Sequence, residues 1–124
     1  MIHTLVRMRD EPLTLQWKTS EHEGTAILEL TGPLTLGNLF TFQEELKTAT
    51  PGVLIMDLSK SPYMDSAGLG SLLRFHVSAE KRGGKLLLSG VDERVRALFE
   101  TTKVDSLLKI FPSVEAAEAS LSHS

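Results

Sequence analysis

The sequence predicts a single α/β domain with a mixed, mostly parallel β-sheet flanked by helices and an opening β-hairpin. Three observations lead there. Short apolar runs alternate with helix-period segments from residue 25 to the end of the chain, the pattern of parallel strands joined by helical crossovers. Two strand-like segments, Leu13–Trp17 and Thr25–Thr31, follow one another at the start, and Glu21-His22-Glu23-Gly24 before the second reads as a hairpin turn. The run Val53-Leu54-Ile55-Met56 is apolar at every position, as a strand covered on both faces is.

Taken in order, residues 1–12 carry scattered apolar positions and end at Pro12. They are read as an N-terminal extension, an added edge strand or an arm. The domain is placed at 13–121, with a polar tail at 122–124. Leu13 to Trp17 alternates apolar and polar residues as a half-exposed strand does. Thr25 to Thr31 forms its hairpin partner, and Gly32-Pro33 stops it. A helix follows with Leu39, Phe42 and Leu46 on one face, Asn38 and Thr35 competing as its cap. Pro51-Gly52 precedes the central strand, which Asp57 and Ser59 lead out and Pro62 ends. A second helix is expected from about Ala67 to Arg82, stopped by Gly83-Gly84. Lys85 to Gly90 reads as a buried strand, Asp92 to Thr101 as a helix, and Leu107 to Phe111 as a last strand. Pro112-Ser113 opens a final helix with Val114, Ala117 and Leu121 on its apolar face.

Composition removes several classes of function. A net charge of −3 over 124 residues offers no electrostatic footprint for nucleic acid or a membrane surface. There is no cysteine, so disulfides, thiolate metal sites and cysteine nucleophiles are excluded. No apolar run approaches the ~20 residues of a membrane helix, and the first residues lack the apolar core and cleavage site of a signal peptide. A cytoplasmic location, no membrane insertion and no cofactor are the expectations.

The stretch VLIMDLSKSPYMDSAGLG, Val53 to Gly70, holds the candidate site. It presents Ser66 where the carboxyl end of a strand gives way to the amino end of a helix, the edge at which open α/β sheets usually meet ligands and partners. The enzyme readings fail on this stretch. Met64-Asp65-Ser66-Ala67-Gly68 lacks the first glycine of a hydrolase elbow, and neither His76 in the same helix nor His123 in the tail is a credible base. Gly68-Leu69-Gly70 breaks the dinucleotide fingerprint at its third position, and Gly83-Gly84-Lys85 precedes a strand where a phosphate loop opens a helix. A phosphoacceptor at Asp57 would need acidic magnesium ligands after the first strand, where the sequence has Lys18-Thr19-Ser20. On spacing alone, Ser66 or Asp65 is a helix cap.

The motif Asp57-Leu58-Ser59 followed by Tyr63-Met64-Asp65-Ser66-Ala67-Gly68-Leu69-Gly70 resembles that of the STAS-domain anti-sigma factor antagonists. Leu30-Thr31-Gly32, Gly83 to Leu86 and Val95 to Phe99 support the likeness, which extends over about residues 13–121. The resemblance implies a non-catalytic binding module whose phosphoacceptor is Ser66 and whose Asp65 helps present it. It further implies a partner surface of Met64, Asp65, Ser66, Ala67, Gly68 and Leu69 with Thr35, an anti-sigma factor serine kinase as partner, and a PPM-type serine phosphatase to reset it. Ala67 stands where some members carry a second Ser or Thr, and Thr35 where many carry an acidic residue. A role as scaffold or accessory subunit of a signalling assembly or lipid transporter is the alternative within the same fold. Gly68 and Gly70 are expected to let a partner approach the backbone closely.

Overall fold

A computed structural model describes residues 12–49 and 51–122. Its strands are β1 (Thr14–Thr19), β2 (Thr25–Thr31), β3 (Val53–Lys60), β4 (Lys85–Ser89) and β5 (Lys109–Phe111). Its helices are α1 (Leu39–Leu46), α2 (Ser66–Lys81), α3 (Glu93–Thr101) and α4 (Val114–Leu121). The strands lie side by side in chain order. β1 pairs antiparallel with β2, and every later pair is parallel. The sheet is therefore mixed and opens with a hairpin, as expected.

Alternation along the strands explains the layering. Leu28 and Leu30 of β2, Leu54, Met56 and Leu58 of β3, and Leu86 and Leu88 of β4 share a core with Phe42, Leu72, Val95 and Phe99 of α1, α2 and α3. Their neighbours Ile27, Ile55 and Leu87 point the other way, onto Ala117 of α4. A period of two sends successive side chains to opposite faces, so among the described residues one face carries three helices and the other carries one.

Some boundaries differ from the sequence reading. β1 starts one residue later and runs on through Lys18 and Thr19, which pair with Ile27 and Ala26 across the hairpin. β3 continues through Lys60, because Leu58 is fully buried while its polar neighbours Asp57 and Ser59 lie on the alternate face. β5 is shorter than expected: Leu107 is exposed in a turn that follows Lys103, whose φ of 60° bends the chain away from extension. The end of α2 is as expected, with Gly83 at φ 78°, a left-handed conformation that glycine adopts without steric cost. Residues 1–11 of the N-terminal extension, and 123–124 of the tail, lie outside the described residues.

Candidate functional site

The approach to α2 is built by two loops that lie alongside each other. Leu34 and Met64 form an isolated parallel bridge: the Leu34 N–H donates to the Tyr63 carbonyl (3.1 Å), and the Asp65 N–H donates to the Leu34 carbonyl (3.2 Å). Asp65 then caps α2. Its Oδ1 accepts from the Gly68 N–H at 2.9 Å, satisfying one of the donors a helix start leaves open. Its Oδ2 accepts from the Leu36 N–H at 3.0 Å, so one carboxylate ties the 33–38 loop to the helix. The cap is thus Asp65, and Ser66 is the first helical residue.

That settles which of the two sequence candidates for a cap performs it. Ser66 is exposed, and its hydroxyl makes no hydrogen bond among the described residues. The N–H groups of Ser66 and Ala67 likewise have no acceptor among the described residues, the N–H groups of Gly68 and Leu69 being taken by Asp65. Two open donors beside a free hydroxyl make a place where an added anion is favoured.

The other residues expected at the partner surface divide by depth. Asp65 and Ala67 are half-buried. Met64, Gly68, Leu69 and Thr35 are buried, so they shape the site from beneath. The close approach expected of Gly68 is internal: a methyl group there would overlap the Leu34 carbonyl oxygen and press on Leu34 Cγ and Met64 Cγ, each 3.0 Å away. Gly70 is different, with only the Arg74 guanidinium near, 3.6 Å from the position a Cβ would take. Neither Thr35 nor Asn38 caps α1 through its side chain. Asn38 instead accepts from the Thr35 N–H (2.9 Å) and donates to the Pro33 carbonyl (2.7 Å), closing the loop on itself. The Thr35 hydroxyl is buried without a hydrogen-bond partner among the described residues.

Sequence reasoning passed over an apolar rim. Leu36 and Phe40 are 72% and 73% exposed, and Tyr63 is 50% exposed. Leu36 is held next to Asp65, Tyr63 precedes the cap by two residues, and Phe40 stands on the first turn of α1. The signal was present: Phe40 falls outside the Leu39-Phe42-Leu46 stripe that α1 buries. Large exposed apolar side chains grouped at one edge mark interaction surfaces. Among the described residues, no group of three or more potential metal ligands gathers, and no helix is long and apolar enough to cross a membrane.

Comparison with known proteins agrees with this geometry. The family model described as STAS domain matches residues 16–117. The anti-sigma-B factor antagonist of Listeria monocytogenes is 38% identical over 58 residues, 47% of this chain, and the matched stretch spans about half (51%) of that protein. The intermembrane phospholipid transport system binding protein MlaB of Escherichia coli is 34% identical over 71 residues, 57% of this chain and 73% of that protein. Among solved structures, a sulfate transporter family protein from Wolinella succinogenes superposes with a TM-score of 0.74 at 30% identity, covering 86% of this chain and 91% of that one. With the family match running from β1 into α4 over the sheet and site just described, the chain belongs to the STAS domain family.

Proposed function

We propose that this protein is an anti-sigma factor antagonist, a binding module switched by phosphorylation of Ser66. Unphosphorylated, it sequesters an anti-sigma factor that is itself a serine kinase and so frees the sigma factor. The kinase inactivates it by phosphorylating Ser66, and a PPM-type serine phosphatase restores it. The observation that carries the proposal is the exposed, unbonded hydroxyl of Ser66 on the first residue of α2, with the capping duty taken by Asp65. A serine free of structural work can be modified without dismantling its helix.

The energetics fit a switch read at an interface. A phosphate adds about −1.5 to −2 charges at neutral pH. Within the domain the open N–H groups of Ser66 and Ala67 and the helix dipole accommodate it. Against a partner surface fitted to a neutral hydroxyl, and beside Asp65, the charge is repulsive. Disrupting a buried polar contact of that kind costs on the order of 2–5 kcal/mol, while near-complete switching takes about 5.5 kcal/mol. The apolar rim of Leu36, Phe40 and Tyr63 supplies contacts around the charge whose loss adds to it.

The test mixes wild type, Ser66→Ala and Ser66→Glu with the candidate kinase and follows the complex before and after ATP. Ser66→Ala keeps its stability within about 0.5 kcal/mol, as a surface substitution does, binds, and is not released by ATP. Ser66→Glu folds, since an acidic group suits a helix start, and binds poorly. Equal release of wild type and Ser66→Ala by ATP, or phosphate mapped to another serine, refutes the assignment.

The similarity to a transport system binding protein over 73% of its length supports a second reading. In that reading the same surface docks the chain as an accessory subunit of a lipid transporter, or as a scaffold in a signalling assembly. Affinity capture from the source cell with mass spectrometry distinguishes the two by whether a kinase or transporter subunits are recovered.

A further inference from the structure

Ser66, Gly70 and Arg74 follow one another at four-residue spacing along α2, so they lie one above the next on the same side of the helix. Arg74 is exposed, and its side chain runs back toward the helix start, as long helical side chains do. One guanidinium nitrogen comes to 3.6 Å from the point where a Cβ on Gly70 would stand. Apart from chain neighbours and the helix's own backbone, no other group among the described residues lies within 4 Å of that point. The missing side chain at residue 70 thus lets the guanidinium lie against α2 one turn from Ser66.

That guanidinium has no hydrogen bond or ion pair among the described residues. The acids around it are engaged elsewhere. Asp65 accepts from the Gly68 N–H at 2.9 Å and from the Leu36 N–H at 3.0 Å. On α1, Glu44 pairs with Lys47 and Glu45 accepts from the Trp17 indole. Farther along α2, Glu80 faces His76. Cβ atoms four residues apart on a helix stand about 5–6 Å from each other, and a phosphate on Ser66 spans much of that gap toward Gly70. A side-chain rotation of Arg74 closes the rest, and guanidinium meets phosphate through up to two parallel charge-assisted hydrogen bonds.

We infer that Arg74 holds the phosphate: once Ser66 is phosphorylated, the guanidinium pairs with it across Gly70 and lays it back along α2. The inference rests on the phosphorylation reading and deepens it, giving the phosphate a direction as well as a charge. The test places phosphoserine at position 66 during synthesis by genetic encoding, so no kinase is needed, and follows its second ionisation by phosphorus NMR. A neighbouring cation favours the dianion, so the wild-type phosphate is expected to ionise below the ordinary value near 6. Arg74→Gln raises that midpoint by about half a unit or more, and molar salt narrows the difference because the pair is exposed. Arg82→Gln, about 12 Å farther along the helix, leaves the midpoint as in wild type. The Arg74 Nε–H resonance moves with the same midpoint, and stays still over that range when residue 66 is an unmodified serine. Both arginines are exposed, so the variants fold. Equal midpoints in wild type and Arg74→Gln, or an equal rise in Arg82→Gln, overturn the inference and leave the ATP-release assay standing. Failure of that assay refutes the switch and leaves the Arg74–phosphate pair measurable.

Discussion

Gly68 shows how one residue can be read correctly as special and wrongly as to why. The sequence places a glycine two residues into a helix, where it costs about 0.5–1 kcal/mol relative to alanine. Without a view of what lies opposite, the economical inference is a partner's approach, with alanine then stabilising the free domain. The structure puts the Leu34 carbonyl there instead. Overpacking against backbone costs about 1–3 kcal/mol, more than the propensity gain returns. Gly68→Ala is therefore expected to lower stability by about 1–2 kcal/mol in denaturant unfolding, weakening partner binding only through the displaced 33–38 loop. A more stable Gly68→Ala would show that the loop gives way freely. Gly70→Ala, open on all sides but for Arg74, should be neutral or stabilising by the same measurement.

At the scale of elements, the order, the hairpin and the central strand were legible because each depends on local periodicity and turn chemistry. The site motif was legible as a strand-to-helix junction for the same reason. What was hidden depends on register across the sheet, which no single segment encodes. The polar exit of β3 is an example: Asp57 and Ser59 suggest a strand ending, yet Leu58 between them is fully buried. Glu29 is another. It is 5% exposed on a strand otherwise lined with core residues, and it survives there because β1 and β3 bring Lys18 to 3.0 Å and Lys60 to 3.5 Å. The hydrogen bond from Lys18 holds its carboxyl below the ordinary value near 4.5; burial opposes this, and the charges of Lys18 and Lys60 reinforce it. A lowered folded-state pKa stabilises the fold above the unfolded value and stops doing so as pH falls through the folded one. Lys18→Met should thus cost about 1 kcal/mol at pH 7, the upper range for a partly exposed pair. The gap to wild type should narrow steadily in urea melts below about pH 4.5. A gap independent of pH would mean that Lys18 acts through its stem alone.

Across the whole molecule, the two faces of the sheet are unequal, and the candidate site sits on the stronger one. The α1–α3 face buries Phe42, Leu72, Phe99, Leu54, Met56 and Leu58 of β3, and Leu86 and Leu88 of β4, all essentially inaccessible. The opposite face relies on α4, eight residues long, whose Ala117 is buried and whose Val114 and Leu121 are only partly so. An isolated helix of that length has almost no stability of its own, so α4 is held by a small contact with Ile27, Ile55 and Leu87. Segments with few buried apolar contacts open locally before the domain unfolds. Native-state hydrogen exchange should therefore show the α4 amides exchanging through a low-energy opening, α2 amides more slowly, and β3 and β4 only with global unfolding. Because the Asp65 clamp and the 33–38 loop lie with α1 and α2, that opening leaves Ser66 in place: Ala117→Asp should destabilise α4 while the Gly68 and Leu36 amides keep their protection. Loss of protection at those two amides along with α4 would mean that the faces unfold as one, and that the start of α2 shares the stability of the whole.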